Sequence, residues 1–217
     1  MARSFAFTAA GLAAGFSGVA MLLFIVGSVP LPLAEGATVA VAAVALWLYL
    51  RRLPPGVVAA VLRLARAGVV VGAMATVAYD VARIALSFFA ALPYDPFAAI
   101  RQFGYGILPP DSSPATVLGV GFVVHLINGS SFGVIYAMFA HRHITSFRAA
   151  VGWGMAWGLV LEFVQSILYP GWLGITATLG EFFVITGASH LVYGATLGVG
   201  LRRRLGADVP SAEGAPS

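Results

Sequence analysis

Apolar residues run along this chain in six long stretches, at about 5–29, 37–50, 67–92, 115–140, 149–169 and 179–201, parted by short segments rich in arginine, proline or acidic residues. A helix needs roughly 20 apolar residues to cross the hydrocarbon core of a bilayer. Five stretches meet that length; the second is short on its left side and reaches it by starting near Pro32. The pattern predicts an all-α, polytopic membrane helix bundle with six transmembrane helices. Residues 1–205 form this one domain. Residues 206–217, small, polar and Pro-containing, form a disordered cytoplasmic tail. The first stretch is too long for the apolar segment of a signal peptide and no small-x-small site follows it, so it is read as a span.

Charge fixes the predicted orientation. Arg3, Arg51, Arg52, Arg63, Arg66, Arg142, Arg148, Arg202, Arg203 and Arg204 all fall on one side of a six-span arrangement. The opposite loops hold Glu35, Asp95, Asp111 and Glu181, with Arg101 the single basic residue there. The positive-inside rule then places both termini in the cytoplasm. The cell membrane of a prokaryote, crossed several times, is the expected location. Composition agrees: 60% of residues are hydrophobic and 9% charged, against about 25% charged in soluble domains. The net charge of +4 resides in topology-setting loops and does not indicate nucleic acid. The absence of cysteine excludes disulfides, iron–sulfur clusters and thiolate metal sites.

Between the spans, Pro54-Pro55 breaks the chain, and 56–66 is expected to lie along the cytoplasmic interface, with Arg63 and Arg66 among the headgroups. The long outer loop, 94–114, opens on Asp95-Pro96, an N-cap followed by proline at the first helical position. A short helix through Gln102, ended by Gly104 and Gly106, should follow. Its Phe97, Phe103 and Tyr105 suit either a lid or an aromatic belt. Trp47, Trp153, Trp157 and Trp172 suit interface anchoring. His141 and His143, in a basic loop, read as solvated.

Five spans carry G-x-x-x-G: Gly11 and Gly15, Gly68 and Gly72, Gly129 and Gly133, Gly154 and Gly158, Gly194 and Gly198. Lipid tails give helices no hydrophobic reason to associate, and small residues that let backbones approach supply one. The second span, rich in Leu and Trp, is expected at the periphery.

Two spans repeat a longer figure, H-x-x-x-G-x-x-x-G, starting at His125 and at His190. Residues four apart share a helix face, so each histidine lies on a small-residue stripe. The other intramembrane polar residues fall on such stripes too: Asp80 and Arg83 in span three, Asn128 in span four, Glu162 and Gln165 in span five, Tyr193 in span six. At ~1.5 Å per residue from the nearest cytoplasmic arginine, Asp80 and Glu162 lie about 21 Å deep, His125 about 25 Å and His190 about 18 Å. A buried polar layer on four helices results. Ionisable groups at such depth are expensive and face protein, water or a ligand. Asp80 and Arg83 are placed to neutralise one another. Glu162 has no basic neighbour on its own helix and needs a partner elsewhere, with Arg83 or either histidine the candidates.

Three functions fit such a layer. Transport or conduction of an ion, proton or small polar solute is favoured. A redox or metal protein would use His125 and His190 on haem b, or His125, His190, Glu162 and Asp80 on a divalent metal. A structural or accessory subunit would use the layer only to fix helix register. P-loop, dinucleotide-binding, G-x-S-x-G and HExxH motifs are absent, which leans away from an enzyme. The expected partners are the lipid bilayer and a second copy of the chain or the subunits of a membrane complex.

Overall fold

The structure, a computed structural model, describes residues 2–89, 95–173 and 179–207, with side chains left out at 2–4, 179–181 and 207. All regular structure among the described residues is helical: α1 Ala2–Ala14, α2 Phe16–Ile25, α3 Leu31–Leu50, α4 Pro55–Phe89, α5 Ala98–Tyr105, α6 Pro114–Ala140, α7 Phe147–Trp172 and α8 Leu179–Ala207. Six helical segments are long and apolar enough to cross a membrane, α1 and α2 together making the first. The protein is a multi-pass membrane protein. The end of the bundle carrying Arg51, Arg142 and Arg202 is called the basic face below.

The first span breaks at Gly15. Its amide donates to the carbonyl of Leu12, three residues back rather than four, so the chain tightens for one turn and restarts as α2. A short turn with Ser28 at φ 54° leads into α3, which has Pro32 in its first turn. Glu35, expected in a loop, belongs to α3. That helix is the most exposed of the six, with Trp47, Val41 and Leu33 all more than half exposed. It carries no G-x-x-x-G seam, and a Cβ added at its one glycine, Gly36, would meet nothing within 4 Å.

Residues 56–66 do not form a separate interfacial helix. They are the first turns of α4, an unbroken helix of 35 residues and so about 52 Å long. Nothing after Pro55 interrupts the backbone, and Val61 and Leu64 are buried against Phe7, Ala10, Val134 and Met138. Packing against α1 and α6 holds this segment in line with the span.

The glycine motifs pair the helices. A Cβ added at Gly68 would lie 2.6 Å from the Cα of Val134, and one at Gly72 would lie 2.6 Å from the carbonyl of Gly129. These contacts run in opposite chain senses, so α4 and α6 form an antiparallel hairpin at backbone contact. Gly154 and Gly158 of α7 meet Gly194, Gly198 and the carbonyl of His190 in α8, giving a second hairpin of the same kind. The hairpins join where α4 packs on α8, around Val71, Tyr79, Leu197 and Leu201. The pseudosymmetric contact between α6 and α7 barely forms.

α5 lies at the end of the bundle opposite the basic face. It starts later than expected, with the Asp95 side chain accepting from the amide of Phe97 at 2.9 Å, and it runs through Gly104 to Tyr105. Gly104 does not end it. That residue meets the backbone of Val117, as Gly121 meets that of Ile100, so α5 packs antiparallel on the first turns of α6. Ile100 and Phe103 are fully buried; Phe103 stacks on Trp172 with centroids 5.6 Å apart. It is a core residue rather than a surface lid, and Trp172 is its packing partner as well as a boundary residue. α7 continues through Pro170, and α8 extends to Ala207, taking up the start of the expected tail. Residues 208–217 lie outside the described residues.

Helix ends are capped by side chains. Ser113 accepts from the amide of Thr116 at 3.2 Å and Ser146 from that of Ala149 at 3.1 Å. His141, read above as solvated, has Nδ1 3.1 Å from the carbonyl of Ala137 and 3.0 Å from that of Met138, closing the last turn of α6. His143 is exposed and lies beside Trp153. Ser146→Ala should cost roughly 1 kcal/mol by loss of its cap, seen as a lowered melting temperature in detergent; an unchanged melt would mean the cap contributes nothing.

Candidate functional site: two acid–histidine pairs on a membrane-embedded cavity

Each hairpin carries the same polar figure. The first helix of each bears small residues every four positions and then an acid with a polar partner three residues on: Gly68, Gly72, Thr76, Asp80 and Arg83 in α4; Ala150, Gly154, Gly158, Glu162 and Gln165 in α7. The second helix of each bears the histidine figure. Antiparallel packing through the glycines puts acid opposite histidine in both. His125 Nε2 lies 3.2 Å from Asp80 Oδ1, and His190 Nδ1 lies 2.7 Å from Glu162 Oε2.

The two pairs differ in how they are neutralised. Arg83 Nη2 lies 2.7 Å from Asp80 Oδ1, so the acid has a resident cation as well as its histidine. The guanidinium also stands over the Tyr79 ring, 5.1 Å from its centroid. Asp80 therefore both pairs with Arg83 and faces His125. In the second pair Gln165 occupies the place of Arg83, and amides carry no charge. Glu162, 5% exposed, has a hydrogen bond from Thr186 Oγ1 at 2.8 Å and the contact with His190.

His190 Nδ1 also lies 3.0 Å from the carbonyl of Thr186. A carbonyl and an ionised carboxylate can only accept. Nδ1 must therefore carry a hydrogen, and Nε2 is the basic nitrogen of the ring. Glu162 stands behind the imidazole, and Nε2 is turned away from it.

Tyr79 links the pairs. Its ring packs edge-on against His190 with centroids 4.7 Å apart and lies 5.8 Å from His125. Tyr193 donates to the carbonyl of Gly129 at 2.8 Å, tying α8 to α6. Asn128 lies 3.2 Å from Ser17 Oγ, which in turn lies 3.4 Å from Glu35 Oε1. Tyr79, Ser17, Glu35 and Thr186 did not figure among the sequence candidates. Tyr79 had a signal, since it lies on the stripe of Thr76 and Arg83; the links from Ser17 to Glu35 and from Thr186 to Glu162 cross helices and had none.

A cavity of about 370 Å³, within the usual size range of ligand pockets, occupies the gap where α6 and α7 fail to meet. Its polar wall is Arg83, His125, Asn128, Gln165, His190 and Tyr193. Glu162 is absent from the wall and stands behind His190. Trp157 lines it too, and its indole nitrogen is buried without a hydrogen-bond partner. The rest is apolar. Val19 and Leu22 of α2 and Val160 and Val164 of α7 line it while being 43–51% exposed, so the cleft opens sideways between α2 and α7 toward the lipid.

The four acid and histidine groups proposed for a metal do not converge. They form two pairs, and among the described residues no group of three such side chains is placed to hold an ion. Nor do the histidines present themselves to one haem iron: His125 Nε2 faces Asp80 and Tyr79 touches both rings.

No protein-family model, curated protein or solved structure matches the chain.

Proposed function

We propose that the protein is a proton-coupled carrier, exchanging a proton against a small solute at the Glu162–His190 pair. The observation carrying this reading is a buried acid–histidine pair without a resident cation among the described residues, whose histidine forms part of the wall of a ligand-sized cavity within the membrane-spanning bundle. A proton can neutralise that pair, and its loss leaves a buried charge that costs free energy until something replaces it. The orphaned indole of Trp157 supports a ligand in the same cavity, because buried polar groups without partners are rare where nothing binds. A role limited to fixing helix register would need neither the cavity nor the pair beside it. The orientation of this reading has both termini in the cytoplasm, from the arginine distribution.

The test is solute-driven pH change in proteoliposomes loaded with a pH-sensitive dye, over a panel of cationic, anionic and neutral solutes. At least one solute should drive proton movement, and Glu162→Gln should reduce that rate roughly tenfold or more, since removing one partner of a buried charged pair costs 2 kcal/mol or more. A panel without proton movement, or unchanged movement in the variant, would overturn the carrier.

A further inference from the structure

We infer that the cavity is a site for a monovalent, lipophilic ammonium, a protonated amine with at least one N–H, which binds against His190 Nε2 in exchange for the proton carried there. The inference rests on the carrier reading and names its substrate class.

Charge counting comes first. Among the described residues, the two acid–histidine pairs contain two carboxylates, Asp80 and Glu162, and one guanidinium, Arg83; Glu35 stands apart from them, reached through Asn128 and Ser17. Arg83 is committed to Asp80. With both carboxylates ionised and both histidines neutral, these two pairs are one positive charge short of neutrality among the described residues, and the shortfall sits at Glu162. A buried net charge is stable only when compensated. One proton on His190 compensates it; one monovalent cation in the cavity does so equally. Two of either would overshoot, which sets the exchange at one for one.

The groups facing His190 bear this out on every side. Glu162 and the neutral Gln165 come from α7. Tyr79 comes from α4, with Arg83 and Asp80 behind it. His125 belongs to α6 and Tyr193 to α8. Glu162 is the acid in this ring of groups that lacks a resident cation. Glu162 reaches the cavity only through His190, and the one formal charge on the wall, Arg83, is paired with Asp80; among the described residues a divalent cation would find no cluster of ligands.

Donor geometry narrows the class. With the Nδ1 hydrogen given to the carbonyl of Thr186, neutral His190 has only Nε2 left, and Nε2 accepts. The ligand must bring the hydrogen. An ammonium N–H does; a quaternary ammonium does not. In the exchange, the Nε2–H bond of the imidazolium breaks and its proton leaves to water. The nitrogen lone pair then accepts an N–H hydrogen bond from the incoming ammonium. Net charge in the site is unchanged, and no electron transfer is involved.

The remaining wall suits the body of such a molecule. Tyr79, Phe132, Trp157 and Tyr193 line the cavity, and aromatic faces attract cations within about 6 Å of the ring centroid. The opening between α2 and α7 is apolar, so entry is from the lipid phase, where a hydrophobic amine accumulates.

Three compounds of one shape provide the test: N,N-dimethylbenzylamine, trimethylbenzylammonium and neutral isobutylbenzene. Binding to the detergent-solubilised protein is followed calorimetrically in buffers of different ionisation enthalpy, at a pH where the amine is protonated. The tertiary ammonium should bind with release of about one proton per molecule. The quaternary ion should bind roughly tenfold or more weakly for want of a charge-assisted hydrogen bond, and the hydrocarbon should release no proton. Gln165→Arg, which gives the second hairpin the resident cation of the first, should remove both ammonium binding and proton release while the melting temperature stays near wild type. Equal binding of the hydrocarbon, or binding of the ammonium without proton release, would overturn the inference. So would equal affinity for the quaternary ion, or undiminished ammonium binding in a folded Gln165→Arg protein. If anions drive proton flux in the proteoliposomes and amines do not, the carrier stands and the substrate class falls; if amines bind with proton release yet nothing is transported, the site stands and the carrier falls.

Discussion

Replacing Arg83 with methionine should cost on the order of 3–5 kcal/mol, the price of removing one partner from a buried ion pair. Arg83 is 3% exposed and lies 2.7 Å from Asp80. Methionine fills much of the same volume, so the loss comes mainly from Asp80, whose carboxylate would be left with His125 alone. In a membrane interior such a charge has no water to turn to. The companion is the double variant Asp80→Asn with Arg83→Met. It removes both charges and should recover most of the stability, because a neutral pair of similar shape costs little once neither ion is present. The measurement is thermal unfolding in detergent for both variants. Equal destabilisation of the single and double variants would show that Arg83 acts through packing over Tyr79 and not through charge.

Gly154→Ala should destabilise by about 1–3 kcal/mol, the usual cost of forcing a methyl group into a packed interface. An added Cβ there overlaps the carbonyl oxygen of Gly194, and lies 2.8 Å from the carbonyl carbon and 3.1 Å from the amide nitrogen of Gly198. Every one of these atoms is backbone. None can turn aside, so the helices α7 and α8 must part. Separation also lengthens the contact between Glu162 and His190, which lies two turns further along the same seam. The control is Gly152→Ala on the same helix, where an added Cβ meets nothing within 4 Å. It should be neutral or should stabilise by about 0.5–1 kcal/mol, because alanine loses less backbone entropy than glycine in a helix. Similar melting shifts for the two would mean that the hairpin is looser than this packing requires.

Much of the helical architecture was legible in the chain. Length and hydropathy located the six spans to within a few residues, except where packing extends a helix past its apolar run. The first turns of α4 contain Arg63 and Arg66, which a composition-based reading assigns to an interface. Their opposite face, Val61 and Leu64, packs on α1 and keeps the helix straight. α5 shows the same effect. Its Phe103 reads as a surface aromatic in an outer loop, yet Gly104 and Gly121 admit α5 so closely to α6 that Phe103 is buried. A single glycine within a loop does not announce which backbone it will meet.

For the site, periodicity placed Asp80, His125, Glu162 and His190 on packing faces. It left their partners open because face and depth say nothing about which helices are neighbours. That information lay in the glycines, but only jointly: a stripe of small residues identifies a seam and not its mate. The pairing of α4 with α6 and of α7 with α8 turns one polar layer into two acid–histidine pairs. It also shows that Arg83 and Gln165 hold equivalent positions, a difference visible in the chain only after the hairpins are superposed in thought.

The sideways opening between α2 and α7 has a consequence for how affinity depends on the ligand's own chemistry. A solute reaching the cavity from lipid binds from its concentration in the bilayer, so an apparent affinity referred to water contains the partition coefficient. Each added methylene favours transfer out of water by about 0.8 kcal/mol, roughly a fourfold gain in membrane concentration. A homologous series of amines should therefore gain apparent affinity by about that factor per carbon without any new contact to the protein, until the cavity of about 370 Å³ is full. Beyond that length the bilayer keeps concentrating the solute while the wall refuses it, and selectivity by size becomes a contest between two solvents: the lipid and the protein.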